Sequence, residues 1–485
     1  MHLRLVLLTT FIFVINALAT QQIAFNAHLG LFSEKHNERL EDLKFIQTDT
    51  HPLTHSDVIL NTRPMTIYRP RSLETLHNAR RQSMRYGESP VEPLEWDVKE
   101  VLGPDVENRH TLAQLARMSG NAYALPGLPN WYEVDQAWNQ SFPFGWEDED
   151  DGFRGHVFRS EDNSTVVLSI KGTTLNGPTS KKDRFNDNLL FSCCCARISP
   201  KWLIRPLCKC YTTHWGCDNT CIANTLIDDS LFYSIGVRLM EDLIKEFPDA
   251  NIWLTGHSLG GALASLLGAT YGFPAVTFES PGERLAASRL HLPLPPPPSL
   301  ASPNSVSSSD SDPHPAHPHL PNFHVYHTSD PIPQGTCTGI LSLCAHAGYA
   351  LETKCHLGKS IVFDTVGKLG WHVDVRTHVI KVVIKRLLED VDVDWSDSDN
   401  YEDKGLWHRS WHWMKNGLLW GSTIDGSKAN EKRREVPQAK AEEDCTDCFK
   451  WEFGDFKVPG DDDDDNDDDG DDIPEPPDPN EFWNH

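Results

Sequence analysis

The sequence predicts an α/β domain, a mostly parallel sheet covered by helices on both faces. Three observations carry this. Leu231, Ile235, Leu239, Leu243 and Phe247 recur every four residues and give an amphipathic helix ending before Pro248. A buried strand at 251–255 follows, then a run of small residues at 261–271 closed by Gly272, then another apolar strand at 275–278. With the β-branched runs at 155–158 and 165–170 upstream, strands and helices alternate, which requires parallel pairing through helical crossovers.

At 485 residues the chain has room for one large domain with appendages. Arg4 precedes an apolar run at 5–19, interrupted by Thr9, Thr10 and Asn16, so residues 1–20 read as a signal peptide or a short signal-anchor. The N-glycosylation acceptors Asn139 and Asn163 agree with a lumenal chain. Residues 21–110 are polar, lack long periodic segments and read as an irregular N-terminal extension. The main domain spans 111–390 and opens with a helix marked by Leu112, Leu115 and Met118 before the Gly120-Asn121 stop. The runs at 155–158 and 165–170 flank Glu161-Asp162-Asn163 as a hairpin or as neighbouring strands, which puts Asn163 on a surface turn.

Residues 288–321 are rich in Pro, Ser and His and read as a disordered insertion. Strands at 324–327 and 360–366 and a helix at 379–388 complete the domain. A Trp- and Cys-containing extension covers 391–458, where Trp407, Trp411, Met414 and Leu418 share one helical face. That stripe suits packing onto the domain better than insertion at a membrane interface. The tail 459–485 is acidic and reads as solvated and disordered, with ten Asp among the twelve residues 461–472.

The formal net charge of −26, from 44 basic against 70 acidic side chains, excludes a nucleic-acid partner. Cysteines fall in clusters of seven at 193–221, three at 337–355 and two at 445–448, so complete oxidation requires a bridge between clusters. Zinc is the rival use of Cys208-x-Cys210, Cys217-x3-Cys221 and Cys445-x2-Cys448, but two clean C-x2-C knuckles are missing, and no metal is expected.

The chemistry lies where strand 251–255 meets the small-residue helix. Gly256-His257-Ser258-Leu259-Gly260 is a G-x-S-x-G elbow that lifts the Ser258 hydroxyl above the sheet, the signature of the α/β-hydrolase fold. Such a serine needs an imidazole base and a carboxylate to orient it, in chain order Ser, Asp, His. Asp330 emerges after the strand at 324–327, at the sheet edge where ligands bind, although Asp-Pro also reads as a plain turn. His378, in the polar break before the last helix, is the first choice of base; His372 follows, then His346 and His356 among the cysteines. Oxyanion donors are expected from the amide of Leu259 and from Thr173 in Lys171-Gly172-Thr173-Thr174, which also reads as an ordinary strand end. This chemistry requires no organic cofactor. Residues 175–191 read as a lid or a surface loop, with Leu189-Leu190-Phe191 able to line an entrance for lipid.

Gly-His-Ser-Leu-Gly-Gly at 256, Lys-Gly-Thr-Thr at 171 and His-Thr-Ser-Asp-Pro-Ile-Pro at 327 together resemble the class 3 lipases. The resemblance narrows to the fungal autophagy-related lipases through Tyr-Arg-Pro-Arg-Ser-Leu at 68, Leu-Ala-Arg-Met-Ser-Gly-Asn-Ala-Tyr at 115 and Gly-Tyr-Ala-Leu-Glu-Thr-Lys-Cys-His-Leu-Gly at 348. Gly-Trp-His-Val-Asp-Val-Arg-Thr-His at 370 and Cys-Thr-Asp-Cys-Phe-Lys-Trp-Glu-Phe-Gly at 445 extend it across most of 60–455. It implies a glycosylated single-pass type II membrane protein, carried through the ER, Golgi and multivesicular bodies to the vacuole to break down the membranes of autophagic bodies. Its implied substrates are membrane lipids or triacylglycerol, with Ser258 as nucleophile and Asp330 and His378 completing the triad. The rival readings are an esterase for soluble or cell-wall esters and a non-catalytic tether on a hydrolase scaffold. Oligomeric state is left open.

Overall fold

The computed structural model describes residues 60–86, 94–138, 140–147, 152–198, 204–206, 208, 210–229, 231–295, 320–339, 342–390, 392–396, 433–442 and 444–456. Residues 1–20, Asn139, the middle of the Pro-rich insertion, the stripe from Trp407 to Leu418 and the acidic tail lie outside them.

Strands β1 (Thr62–Pro70) and β2 (Trp96–Pro104) pair antiparallel, with helix α1 (Leu73–Tyr86) between them. Residues 21–110 are therefore not irregular throughout, which corrects the reading above. The pattern hid this because β1 carries Arg63, Pro64, Arg69 and Pro70 and fully buries Ile67 alone. The pair docks on the main sheet, where Trp253 Nε1 donates to the Leu102 carbonyl at 3.0 Å.

Helix α2 (Arg109–Asn121) begins where Asn108 caps it, its side chain accepting the Thr111 N–H. Next come β3 (Gln140–Phe144), β4 (Gly155–Arg159) and β5 (Thr165–Ile170), an antiparallel meander. Asn163 sits on the turn between the last two, with φ 60°. Helix α3 (Ser180–Phe191) is followed by the short strands β6 (Ala196–Ile198), β7 (Ile204–Pro206) and β8 (Gly216–Asp218) and by helix α4 (Asn219–Asp229). The predicted core then appears in order: α5 (Leu231–Glu246), β9 (Asn251–His257), α6 (Leu259–Tyr271) and β10 (Ala275–Phe278). Helix α7 (Arg284–Arg289), β11 (Asn322–His327), β12 (Lys359–Phe363), β13 (Lys440–Ala441) and β14 (Glu452–Gly454) complete it. Strand β12 stops short of the expected residue 366 because Asp364 caps a short helix, accepting the Gly367 N–H.

The eight-stranded sheet runs β13-β12-β11-β10-β9-β5-β4-β3. Strands β12, β11, β10, β9 and β5 are parallel, so their C-terminal ends share one edge. Along them alternate residues serve two cores: Val166, Leu168, Ile252 and Leu254 meet α5 and α6, while Val167, Trp253, Val276 and Val325 meet α2 and the terminal helix. That terminal helix, expected at 379–388, is a turn at Val375–His378, a short α-helical turn and a π-helical turn at Val383–Glu389. Arg109 donates to its Leu388 carbonyl at 2.6 Å, satisfying an acceptor at the helix end.

Five disulfides join Cys193–Cys448, Cys194–Cys217, Cys210–Cys221, Cys337–Cys344 and Cys355–Cys445. Two of them tie the C-terminal segment to the earlier clusters, although oxidation is not complete, since Cys195 and Cys208 lie outside the bridges. Of the cysteines spaced for zinc, only Cys208 keeps a thiol. Among the described residues no helix is long and apolar enough to cross a membrane.

Candidate active site

Ser258 sits between β9 and α6 with φ 57° and ψ −131°, a region that costs a non-glycine residue about 1–3 kcal/mol. The turn is too tight for side chains at its flanks. A Cβ on Gly256 would lie 2.4 Å from the Gly260 carbonyl oxygen, and one on Gly260 would lie 2.2 Å from that of Ile170. Glycine at both positions lets the elbow press against β5 while the Ser258 N–H stays bonded to the Phe278 carbonyl at 3.0 Å. The hydroxyl thereby stands at the C-terminal edge of the sheet.

The segment after β11 and the turn at Val375–His378 meet it there. His378 Nε2 lies 2.8 Å from Ser258 Oγ, and its Nδ1 lies 2.5 Å from Asp330 Oδ2. Asp330 is fully buried and its other oxygen accepts the Ile332 N–H at 2.9 Å. Burial pushes the Asp330 carboxyl up, but the charge and hydrogen bond of His378 outweigh it and hold the group below the usual carboxylate range. The sequence choices Ser258, Asp330 and His378 thus come together although 120 residues separate the first from the last. The runners-up lie elsewhere: His372 is exposed, His346 ends a short helix, and His356 belongs to a separate buried network.

Behind the base lies His257, which sequence reasoning left unused. Its Nε2 donates to the His378 carbonyl at 2.7 Å, so its Nδ1 is the acceptor for the Tyr123 hydroxyl at 2.8 Å. Burial, helped by the nearby His378, pushes its pKa down to about 3 and keeps the ring neutral. With ring centroids 4.8 Å apart, His257 braces His378 without adding charge.

The oxyanion side is built by α3, again beyond what the sequence disclosed. Asp183 Oδ2 accepts from Lys171 Nζ at 2.7 Å, from the Thr174 N–H at 2.8 Å and from Thr179 Oγ1 at 3.0 Å, which pins the loop after β5. One turn later Asp187 accepts from Thr173 Oγ1 at 2.5 Å. That bond commits the Thr173 hydroxyl to Asp187 and leaves the backbone amide as the group available to an oxyanion. The Leu259 N–H opens α6 and is one of the amides a helix cannot satisfy internally. Gly172 closes the gap, since a Cβ there would lie 3.2 Å from Ser258 Cβ. The signal for α3 was its i, i+4 spacing of Asp183 and Asp187. Leu189, Leu190 and Phe191 are wholly buried core residues and line no entrance, because the segment expected as lid or loop folds as this helix.

Among the described residues Glu283, His324 and His356 form one group with metal-ligand spacing. His356 Nδ1 faces Glu442 Oε1 at 2.9 Å and its Nε2 faces the Ser280 carbonyl at 3.0 Å. Burial pushes His356 down, but Glu442 lifts it to about 9, and an imidazolium has no lone pair for a metal. The group is an ion-pair network.

The parallel sheet, the elbow and the hydrogen-bonded Ser-His-Asp chain define an α/β-hydrolase. The family model for lipase (class 3) matches residues 210–274. A protein of Cryptococcus neoformans var. neoformans named "Putative lipase ATG15" is 44% identical over 390 residues, covering 75% of this chain and 70% of its own. Its namesake from Mycosarcoma maydis is 41% identical, covering 75% and 69%, and that of Saccharomyces cerevisiae 44% identical, covering 63% and 58%. The chain belongs to this ATG15 family of lipases. The Lip2 lipase structure of Yarrowia lipolytica is 18% identical with a TM-score of 0.27, covering 54% of this chain and 80% of its own, too distant to carry any argument.

Proposed function

We propose that the protein hydrolyses acyl esters of membrane lipids or triacylglycerol through an acyl-enzyme on Ser258. The observation that carries this is the unbroken hydrogen-bonded chain Ser258 Oγ, His378, Asp330 on the sheet edge. Ser258 Oγ attacks the ester carbonyl carbon as its proton passes to His378 Nε2, and Asp330 stabilises the imidazolium through Nδ1. The amides of Leu259 and Thr173 receive the oxyanion. Collapse of the tetrahedral adduct breaks the ester C–O bond, and His378 gives its proton to the departing alcohol oxygen. Water then attacks the acyl-enzyme, with His378 as base, and releases the fatty acid and free Ser258.

A lipid ester as substrate is supported by the lipase name of the relatives, and a membrane surface by the exposed apolar side chain of Val379, next in sequence to the base. The apolar run at 5–19 and the acceptors Asn139 and Asn163 support an N-terminally anchored, lumenal, single-pass type II protein. We extend the reading to delivery through multivesicular bodies to the vacuole, with autophagic-body vesicles as targets. The test is fatty-acid release from phospholipid vesicles and from a short soluble ester. Ser258→Ala is expected to lose both while keeping the wild-type melting temperature, and undiminished release rejects the mechanism. Hydrolysis of the soluble ester alone would reject the membrane substrate.

A further inference from the structure

Glu279 follows β10 directly and adopts φ 46°, in the left-handed region, with no exposure to solvent. A strained backbone and a dry carboxyl are each costly, so partners must offset them. Its own N–H donates to the Val325 carbonyl at 2.9 Å, which aims the side chain beneath the end of β11. There Oε2 accepts the His327 N–H at 3.4 Å, while Oε1 is buried without a hydrogen-bond donor, 3.6 Å from His327 Nε2. Three residues on from His327 stands Asp330, and the two carboxyls face each other.

Two carboxylates cannot both ionise in a dry site. Asp330 already has the Ile332 N–H and the His378 Nδ1–H as donors, whereas Glu279 has one long bond from a backbone amide. The charge therefore belongs on Asp330 and the shared proton on Glu279. The other titratable groups facing the pair supply no rival charge. His327 is buried neutral, its Nε2–H directed at the Thr377 carbonyl at 3.3 Å; His257 is neutral; and the Tyr326 phenol is held protonated by burial. Burial and the Asp330 charge push the Glu279 carboxyl well above the usual range, in agreement.

We propose that Glu279 is a positioning residue: as a neutral carboxylic acid it donates its carboxyl proton to Asp330 and so keeps the acid of the triad ionised and aligned with His378 Nδ1. This rests on the reading of Ser258, Asp330 and His378 as the triad. Because the donated bond draws charge from Asp330, it also weakens the hold of Asp330 on the His378 imidazolium.

The experiment compares the full chain with Glu279→Gln and Glu279→Leu, reading kcat, KM and the pH–rate profile on a short ester. The Gln variant retains an N–H donor and no charge, so its kcat stays within about threefold and its acid limb does not move. The Leu variant loses a hydrogen bond to a charged group, so kcat falls about 10- to 100-fold with KM unchanged, and the acid limb moves to higher pH. A difference infrared spectrum, wild type minus Glu279→Gln, is expected to show the carbonyl band of a protonated carboxylic acid, and keeps the test alive if the Leu variant does not fold. Wild-type rates in Glu279→Leu, a downward move of about one pH unit in the acid limb of Glu279→Gln, or no such band each overturn the proposal. An inactive Ser258→Ala beside a normal Glu279→Leu would reject this role alone, whereas an active Ser258→Ala would reject the triad itself.

Discussion

Glu442→Gln keeps the shape of a side chain and removes a buried charge. Glu442 Oε1 lies 2.9 Å from His356 Nδ1 and accepts from Ser360 Oγ at 2.6 Å, and Oε2 accepts the His356 N–H at 2.9 Å. Burial opposes both charges, yet the pair lifts His356 from 6.5 to about 9 and brings Glu442 from 4.5 to about 2. Each displacement corresponds to ~3 kcal/mol, and since both describe one ion pair it counts once. Removing one partner of a buried pair costs about 3–5 kcal/mol, the same magnitude. The raised His356 contributes fully below 6.5 and loses its contribution as pH climbs through about 9. The lowered Glu442 contributes fully above 4.5 and loses its share as pH falls through about 2, so the pair stabilises most between 4.5 and 6.5. Thermal unfolding at about pH 5.5 is expected to show the variant melting roughly 6–10 °C lower, at about 2 °C per kcal/mol, with the gap closing above about pH 9. A gap of equal size at every pH, or none at about pH 5.5, refutes the ion pair.

Gly172→Ala places a Cβ 2.2 Å from the His257 carbonyl oxygen and 2.2 Å from the Tyr123 hydroxyl, so the elbow must move; kcat is expected to fall about 100-fold in steady-state assays, and a normal kcat contradicts the packing. Asp187 is pushed by burial from 3.8 up to about 8, so its stabilising neutral form is lost as pH rises through about 8. The loss begins at the unfolded value of 3.8, so Asp187→Asn is expected to match wild type in urea unfolding only near about pH 4 and to exceed it by a growing margin up to about pH 9, and a wild-type pH slope in the variant contradicts this.

The core of the fold was legible because parallel strands buried on both faces read as apolar runs, as at Asn251–His257, and because the helices between them carry a clear period or small-residue packing. Ser258 was legible through the glycines its turn demands, and Asp330 and His378 through chain order. What failed was non-local or masked by polar residues. Strand β1 hides one buried isoleucine among arginines and prolines, and its partner β2 lies in the stretch that seemed structureless. Nothing local to Leu189-Leu190-Phe191 distinguishes an entrance from a core, since only the fold of α3 onto the sheet decides it. Tyr123 and Glu279 act through partners distant in sequence, of which a single chain holds no local mark, while Asp183 and Asp187 reach back to residues 171–179 once α3 folds against the loop after β5. Glu279 left the faintest trace, because its φ of 46° is visible only in the folded backbone.

Reaction of the folded protein with a fluorophosphonate, followed by peptide mass spectrometry, tests the nucleophile most directly. A single adduct on Ser258 is expected, forming at least about 1,000-fold more slowly in His378→Ala and absent from Ser258→Ala. Adducts on another residue, or labelling as fast without His378 as with it, would contradict the account.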